Sequence, residues 1–260
     1  MFRASPQKGI ALVTGASSGI GRGVALELAR RGYSVAAVAR RLPELELLTA
    51  ESGGKIFAHV GDVTNRAAMA ALVGAIEAAH GPVVLAFLNA GAYSADGEGH
   101  VDASAVMRTF EVNVGGTVNC LDPLTAAMVS RGFGQIALNA SVAGYGGLPR
   151  AVAYGATKAA LINMAASLKF ALDPAGVTIQ VVNPGFVRTP LTDRNDFPMP
   201  FLLELDVAAR IICDGFERKG FEITFPRRLA WLMKAMNLLP YALYFPLVRA
   251  ATGAGQPKVG

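Results

Sequence analysis

Tyr154 and Lys158 stand four residues apart in a segment, residues 151–172, whose pattern predicts a helix. Residues at positions i and i+4 share a helix face. A neighbouring ammonium group favours the ionised form of a phenol, whose ordinary pKa is about 10. We therefore expect Lys158 to lower the pKa of Tyr154, so that the phenol can exchange a proton with a carbonyl or alcohol oxygen. A packed tyrosine beside a solvated lysine is the alternative, and the surrounding sequence must decide.

The elements that would position this pair alternate between short apolar runs and helical patterns. Predicted strands cover residues 10–13, 34–39, 55–60, 83–88, 135–139, 177–183 and 221–225, and two long helices cover 104–131 and 151–172. Short, continuous apolar strands are typical of a parallel sheet buried on both faces. We predict one α/β domain over residues 1–226: a doubly wound (Rossmann) seven-stranded parallel sheet with helices on both faces. Ligands of such sheets bind beyond the carboxyl ends of the strands.

A glycine-rich loop follows the first predicted strand, with the sequence Thr-Gly-Ala-Ser-Ser-Gly-Ile-Gly over residues 14–21. Glycine lets the backbone turn tightly and approach a pyrophosphate, and the helix that follows offers free N–H groups and a positive dipole end. A simple strand-to-helix turn is the alternative interpretation. The predicted cofactor contacts from this loop are Gly15, Ser17, Ser18, Gly19, Ile20 and Gly21.

The second predicted strand ends in Ala-Arg-Arg, with no acidic residue for the ribose 2′-hydroxyl of NAD. Guanidinium groups bind phosphate with a planar fork. Arg40 and Arg41 therefore favour NADP over NAD, although both could be solvated surface residues.

Polar residues also follow the third and fourth predicted strands. We expect Asp62 to accept a hydrogen bond from the adenine amine and Val63 to pack on the adenine ring. Asn89, Ala90 and Gly91 would let the chain pass close to the cofactor. Each motif, taken alone, could be an ordinary turn.

Together these motifs resemble the short-chain dehydrogenase/reductase family, over residues 9 to about 225. The resemblance also rests on Asn113, Ser141, the Tyr154-x-x-x-Lys158 pair and the run Pro-Gly-Phe-Val-Arg-Thr at 184–189. Tyr154 follows Ser141 by 13 positions, and Asn113 precedes Ser141 by 28. The order and spacing are more specific than any single motif.

The resemblance implies a role for each residue of the second half of the chain. Tyr154 is the general acid in reduction and the base in oxidation, and Lys158 lowers its pKa and binds the nicotinamide ribose. Ser141 donates to the substrate oxygen. Asn113 holds a water that links Lys158 to solvent, unless it is only a polar residue that kinks its helix.

The resemblance further implies that the 184–189 run contacts the nicotinamide. Pro184, Gly185, Val187 and Thr189 are the expected contacts, and Thr189 would bind the carboxamide. The cofactor carries the redox chemistry, while the protein supplies orientation and proton management.

Residues 227–260 form an apolar C-terminal extension rather than an independent domain. Its longest uncharged stretch, residues 235–248, has 14 residues and two prolines, too short and too broken to span a bilayer. Three interpretations remain open: a lid over a hydrophobic substrate pocket, a subunit interface, or a segment that lies on a membrane surface among headgroups. We expect the extension and residues 190–220 to line the pocket.

Composition narrows the possible functions. The net charge is +5 and no basic block is interleaved with aromatics, so no nucleic-acid partner is expected. Three scattered histidines, His59, His80 and His100, form no ligand cluster, so no metal is expected. Cys120 and Cys213 have no nearby partner and are expected to be reduced, in a cytoplasmic protein that could also be peripheral to a membrane.

The sequence therefore predicts an oxidoreductase that transfers a hydride between NADP(H), with NAD less favoured, and a carbonyl or alcohol of a hydrophobic substrate. The resemblance implies a homodimer or homotetramer, since the family pairs its two long helices across a two-fold axis. One alternative is a nucleotide-binding regulatory protein of the same fold without catalysis. Another is an epimerase or dehydratase acting on nucleotide sugars, which the glycine spacing and the lack of a long C-terminal substrate domain disfavour.

Overall fold

A computed structural model of the chain describes residues 2–93, 100–194 and 199–253. Its centre is one seven-stranded sheet in the order β3-β2-β1-β4-β5-β6-β7, with every neighbouring pair parallel. The strands are β1 Ile10–Thr14, β2 Val35–Ala39, β3 Ile56–Val60, β4 Val83–Leu88, β5 Gly134–Asn139, β6 Val177–Pro184 and β7 Glu222–Phe225. The predicted doubly wound sheet, including its seventh strand, is confirmed.

Helices cover both faces of this sheet. The α-helices are α1 Gly19–Arg30, α2 Leu42–Glu51, α3 Arg66–His80, α4 Ala103–Phe110, α5 Gly116–Arg131, α6 Val152–Leu172, α7 Leu205–Phe216, α8 Arg227–Asn237 and α9 Tyr241–Thr252. None of the helices within the described ranges is both long enough and apolar enough to cross a bilayer.

The core consists of two apolar layers, one on each face of the sheet, because successive strand residues point to opposite faces. Ala11 and Val13 of β1 belong to the layer beneath α1, α2 and α7, while Ile10 and Leu12 belong to the layer beneath α3, α5 and α6. Burial on both faces explains why the strands are continuously apolar.

The two cysteines lie in different core layers. Cys213 packs with the α1, α2 and α7 layer and Cys120 with the opposite one, and both are buried free thiols. The sheet separates them, and burial raises the pKa of the Cys120 thiol to about 12. Both therefore behave as small apolar core residues.

The histidines are less scattered than their sequence positions suggest. The rings of His59 and His80 meet edge to face with centroids 5.6 Å apart, and Phe57 stacks on His80 at 4.3 Å. No group of His, Cys, Asp and Glu in the described ranges has the arrangement of a metal site. The contact joins β3 to the end of α3.

The first predicted long helix, residues 104–131, is wrong as a single element. A π-helical turn, Glu111–Gly115, separates α4 from α5. The turn places Asn113 in the interior, where its side chain bonds the backbone of Ala92. A π turn adds a residue to the helical repeat, and such turns are frequent at functional sites. The other predicted helix and strand ends agree with the observed ones to within one residue.

The apolar extension forms two helices, α8 and α9, beside the carboxyl end of β7. Buried residues of these helices face the protein: the Tyr244 hydroxyl donates to the Gly147 carbonyl at 2.9 Å, and Ala230 and Val248 are buried. Residues 254–260 of the predicted extension and residues 195–198 of the predicted pocket segment lie outside the described residues.

Candidate active site

Four polar residues from three separate chain segments converge near the carboxyl ends of β4 and β5. Ser141 follows β5, Tyr154 and Lys158 lie on α6, and Asn113 lies in the π turn. The Tyr154 hydroxyl lies near Ser141, which lowers the pKa of the phenol relative to burial alone. A Cβ added to Gly91, after β4, would lie 3.3 Å from Asn113 Oδ1 and 3.7 Å from Lys158 Nζ. The structure thus brings the four candidate catalytic residues together.

Ser141 is held by the turn that it begins. Its Oγ accepts a hydrogen bond from the Ala143 amide at 3.1 Å and donates a long one to the Pro184 carbonyl at 3.4 Å. The short helical turn Val142–Gly144 then packs closely on α6, since a Cβ at Gly144 would lie 2.7 Å from the carbonyl carbon of Lys158. The hydroxyl is therefore fixed by the turn, and only the long bond to Pro184 must break before its proton can be donated toward the site.

Lys158 is buried, with only 3% of its surface exposed. Its Nζ donates to the Asn139 carbonyl at 2.7 Å and lies 5.4 Å from the centroid of the Tyr154 ring. Burial lowers the pKa of the Lys158 ammonium to about 8, because desolvation penalises the charged form. The lysine is thus poised to change its protonation state near neutral pH.

The predicted lowering of the Tyr154 pKa is wrong for the chain without a cofactor. Burial of the hydroxyl raises the pKa, the hydrogen bond with Ser141 partly offsets that, and Tyr93 raises it further. The Tyr93 ring meets the Tyr154 ring edge to face, with centroids 5.4 Å apart. Desolvation is a long-range property of the fold, and it outweighs the attraction expected from helical spacing.

Asn113 joins the β4 loop to α6. Its Nδ2 donates to the Ala92 carbonyl and to Thr157 Oγ1, each at 3.0 Å, and its Oδ1 accepts from the Ala92 amide at 2.7 Å. Asn113 thus satisfies backbone groups close to the lysine, and its predicted role in holding a water stays a prediction. Thr157, which the sequence analysis missed, is a fully buried partner whose only sequence signal was its place next to Lys158.

Two of the three loop glycines are required by contacts between chain segments. A Cβ at Gly15, where φ is +67°, would lie 2.8 Å from the Ala90 Cα. A Cβ at Gly21 would lie 2.4 Å from the Gly15 carbonyl oxygen. Gly19, at φ +54°, begins α1 in the left-handed region that favours glycine. These positions draw the β1 and β4 loops together beneath the start of α1.

The amino end of α1 offers donors for a cofactor phosphate. Ser18 precedes the helix without a side-chain hydrogen bond to it, and the first turn contains no acidic residue. Ser17, Ser18 and Ile20 are all partly exposed. Free amides at a positive helix end bind anions, so the loop fits the pyrophosphate of a dinucleotide.

Arg40 and Arg41 border this loop. Arg41 donates to Ser17 Oγ at 3.0 Å and pairs with Glu44 at 3.2 Å. Arg40 is exposed, and its charge contributes to lowering the pKa of Asp62. The two guanidinium groups therefore face the crevice between the glycine loop and the end of β3.

Asp62 and Val63 are both engaged by the chain itself. Asp62 Oδ1 accepts from the amide and the hydroxyl of Thr64, and the amide bond is the main cause that lowers its pKa. Val63 is buried against Gly116, where a Cβ would come within 2.5 Å of its side chain. The predicted adenine contacts stay predictions.

The Asn89–Gly91 segment is fixed by Thr14, the last residue of β1. Thr14 Oγ1 accepts from the amides of Asn89 at 2.9 Å and Ala90 at 3.1 Å. Asn89 Oδ1 accepts from Asn139 Nδ2 at 2.8 Å. Thr14 and Asn139, which the sequence analysis did not single out, thus hold the loops that surround the cofactor crevice.

The 184–189 run forms the remaining side of the crevice. The Gly185 amide donates to the Phe225 carbonyl at 2.7 Å, and Val187 is buried. Thr189 lies against the glycine loop, 3.5 Å from where a Cβ of Gly19 would stand. Its Oγ1 is 3.2 Å from Thr192 Oγ1. The run therefore bridges the sheet and the start of α1.

A second polar cluster, which the sequence analysis missed, joins α8 to the loop that carries Ser141. The Tyr145 hydroxyl donates to Glu222 Oε1 at 2.6 Å, and Asn183 Nδ2 donates to the same oxygen at 2.7 Å. Lys234 pairs with the other oxygen of Glu222. Burial alone would raise the pKa of Glu222, but these bonds lower it. No local pattern signals a contact between residues 77 positions apart.

Comparison with known proteins gives consistent matches. The family model of the short chain dehydrogenases matches residues 9–197. An uncharacterised oxidoreductase of Myxococcus xanthus is 38% identical over 237 residues, which cover 90% of this chain and 94% of that one.

Solved structures of similar fold extend the comparison. A short-chain type dehydrogenase/reductase from Mycobacterium ulcerans superposes with a TM-score of 0.79 at 28% identity, covering 88% of this chain and 92% of that one. An actinorhodin polyketide ketoreductase solved with NADPH superposes with a TM-score of 0.78 over 87% of this chain and 99% of that one. At 24% identity the ketoreductase shares the fold alone.

Proposed function

The chain belongs to the short-chain dehydrogenase family, and from that premise we propose that it is an NADP(H)-preferring carbonyl reductase or alcohol dehydrogenase of a hydrophobic substrate. Membership of the family makes it an NAD(P)-dependent oxidoreductase in general terms. The observation that carries the finer proposal is the convergence of Ser141, Tyr154 and Lys158 beside the free amino end of α1.

The proposed proton chemistry follows from these contacts. A nicotinamide cofactor, when bound, supplies or accepts the hydride. The Tyr154 hydroxyl gives its proton to the substrate oxygen in reduction and takes it back in oxidation. Ser141 donates a hydrogen bond to the same oxygen and stabilises the charge that develops there. Lys158, with a pKa of about 8, can return a proton to the phenolate near neutral pH.

Asn113 completes the proposed proton path as a positioning residue. Its side chain fixes Ala92 and Thr157, so the β4 loop and α6 keep the lysine in place. A water beside its π turn would connect Lys158 to solvent. The path explains why a polar residue with no exposed surface sits inside a broken helix.

The preference for NADP is proposed from the charges around the glycine loop. Arg40 and Arg41 directly follow β2, Arg41 is bonded to Ser17 of the glycine loop, and no acidic side chain follows Ala39 directly. An acid at that place would bind a 2′-hydroxyl and repel a phosphate. Arg41 is already held by Ser17 and Glu44, so it would lose little freedom on binding.

The substrate is proposed to be apolar because the tail borders the catalytic loops. A Cβ at Gly185 would lie 3.1 Å from Leu229 of α8, and the Tyr244 hydroxyl bonds the loop between Ser141 and Tyr154. Leu191 and Phe201 are exposed along the segment after β6. These side chains would line a pocket for a greasy molecule.

A homodimer or homotetramer is proposed because the family pairs its two long helices across a two-fold axis. Exposed apolar residues on these helices would become buried: Val118 and Val129 on α5, and Val152 and Phe170 on α6. Light scattering after size exclusion tests this. A monomeric mass at micromolar concentration contradicts it.

The experiment that tests the function follows NADPH oxidation against ketones, 3-oxoacyl thioesters, steroids and retinal. We expect turnover with at least one class, and loss of turnover in Tyr154→Phe with NADPH binding kept. Tyr33→Phe, which removes one hydroxyl just before β2, at the end of the sheet opposite the site, is the control and should keep its activity. Near-normal turnover by Tyr154→Phe contradicts the mechanism. Binding of NADPH without turnover of any class favours the regulatory alternative.

A further inference from the structure

Helices α8 and α9 carry apolar side chains that the rest of the protein does not cover. Leu238 is 86% exposed, Tyr241 75% and Trp231 70%. We use the name tail surface for the exposed apolar residues of this region: Trp231, Leu232, Leu238, Tyr241, Leu243, Phe245 and Leu247. So many exposed apolar side chains on two consecutive helices point to an interaction site.

The net positive charge of the chain lies in the same region. Residues 227–260 contain five Lys and Arg residues and no Asp or Glu, so residues 1–226 contain 19 of each sign. The entire net charge of +5 therefore belongs to the tail. Arg227, Arg228 and Arg249 are exposed, and none forms an ion pair with the described part of the chain.

The tail is already seated on the protein by its other side. Tyr244 and Val248 are buried, Tyr244 bonds the Gly147 carbonyl, and Lys234 pairs with Glu222. The residues of the tail surface are therefore distinct from the residues that hold the tail against the protein.

A second copy of the chain is a poor occupant of the tail surface. A two-fold contact places the same patch against itself. Such a contact would bring Arg227, Arg228 and Arg249 close to their own copies with no acidic residue of the tail to balance them. Like charges that are brought together without compensation disfavour association.

We propose that the tail surface binds an anionic phospholipid membrane, with α8 and α9 lying in the plane of the interface. The helices have 11 and 12 residues, too few to span a bilayer. Trp231 and Tyr241 are of the types that settle at headgroup depth, with apolar rings below and polar atoms above, and the Phe245 ring adds apolar surface. Exposed arginines then meet the lipid phosphates.

The charge pattern selects a lipid phosphate surface over an acidic protein. An acidic protein partner would match the arginines, but it would leave the seven apolar side chains of the tail surface against a charged face. A membrane matches both features at once, since its headgroups are anionic and its acyl chains apolar. The proposal does not depend on the substrate.

Co-sedimentation of the full chain with vesicles tests the proposal. The vesicles are phosphatidylcholine alone, or equal parts of phosphatidylcholine and phosphatidylglycerol. We expect binding to the anionic vesicles, weaker binding to the neutral ones, and a decline with added salt. A triple variant, Trp231→Ser with Leu238→Ser and Tyr241→Ser, should bind about tenfold more weakly because its apolar anchors are gone.

Two further variants separate charge from apolar contact. Arg227→Gln combined with Arg228→Gln and Arg249→Gln should lose the preference for anionic vesicles. Leu47→Ser removes an apolar residue that is 68% exposed on α2, outside both the tail and the proposed oligomer interface, and should bind like the wild type. Circular dichroism verifies that each variant is folded.

The outcomes that overturn the proposal are specific. No sedimentation of the wild type with anionic vesicles refutes it. Unchanged binding by the triple serine variant refutes the assigned surface. A lower oligomeric mass of that variant in light scattering, with no vesicle binding by the wild type, would make the tail surface a contact between copies instead.

Discussion

The catalytic cluster buries its polar side chains, whereas the tail surface exposes its apolar ones. In the cluster, Lys158 and Asn113 are buried and their side-chain hydrogen bonds end within the chain. In the tail, apolar and cationic side chains face outward. The cluster is thus assembled by the fold alone, whereas the tail surface is complete only with a partner.

The two regions are connected by a small polar cluster. Tyr145 lies four residues after Ser141, and its hydroxyl is bonded to Glu222, which Lys234 of α8 also binds. Tyr244 of α9 bonds Gly147 in the same loop. A change at the tail can therefore reach the catalytic loop through contacts that are already formed.

The largest effect should come from removing the buried charge of the cluster. Lys158→Met is expected to reduce kcat by about 100-fold or more, because proton return to Tyr154 is lost. The triple serine variant of the tail should keep activity on a water-soluble substrate within about threefold, since no reacting group is touched. Steady-state kinetics of both variants measure the contrast, and similar losses in the two would break the comparison.

The Lys158→Met variant should gain stability while it loses activity. At pH 7 the folded chain must hold a charged Lys158 whose pKa is about 8, against 10.5 in the unfolded chain. Lys158→Met removes that cost and should raise the free energy of unfolding by about 1–3 kcal/mol. Loss of the hydrogen bond from Lys158 to the Asn139 carbonyl offsets part of this gain. Urea unfolding measures it.

The difference in the free energy of unfolding between Lys158→Met and the wild type should depend on pH, with a definite sign. Between pH 8 and 10 the unfolded wild type binds more protons at Lys158 than the folded one, so wild-type stability rises with pH in this window. The advantage of Lys158→Met should therefore shrink as pH rises. An advantage that does not change with pH contradicts the buried-charge explanation.

A smaller effect is expected at the rim of the cofactor crevice. Arg40→Ala should weaken NADPH binding about tenfold and leave NADH binding nearly unchanged, because an exposed guanidinium contributes one charge-assisted contact to a 2′-phosphate. Arg210→Ala, at an exposed ion pair on α7, serves as the control. Fluorescence titration measures both. Equal wild-type affinities for NADPH and NADH refute the proposed preference.

The smallest effect should appear where the two regions join. Glu222→Gln weakens the half-buried pair with Lys234 and should lower the free energy of unfolding by about 1 kcal/mol at pH 7. Since the folded pKa of Glu222 is lowered, its contribution is present above the unfolded pKa and lost as acid protonates it.

A matched exposed pair provides the control for Glu222. Glu204→Gln removes the partner of Arg188, and both of these side chains are more than half exposed. Exposed ion pairs contribute little, so this variant should unfold like the wild type. Equal losses in Glu204→Gln and Glu222→Gln would mean that the junction does not fix α8.

The sequence was sufficient for the fold and for the identity of the cluster, because both depend on short patterns. Apolar runs locate strands, and parallel strands bring their carboxyl ends to one edge, so Ser141 and the glycine loop had to lie near each other. Motif spacing then placed Tyr154 and Lys158. These are local properties that a residue and its near neighbours decide.

What escaped prediction depends on distant parts of the chain. The π turn at Asn113 arises from bonds to Ala92 and Thr157, not from helical periodicity. The Tyr154 pKa follows the burial of the whole site. The outward direction of Trp231 and Leu238 depends on how α8 packs, which a run of apolar letters does not specify.

The most direct test of the catalytic account is the transfer of deuterium from NADPH labelled at both C4 positions, with the best carbonyl substrate from the panel. Mass spectrometry of the alcohol product reports the transfer, and fluorescence titration reports NADPH binding in the same preparations. The account predicts one deuterium per product molecule for the wild type, and no product above background for Tyr154→Phe at unchanged NADPH affinity. Full transfer by Tyr154→Phe, or none by the wild type with any carbonyl class, would contradict it.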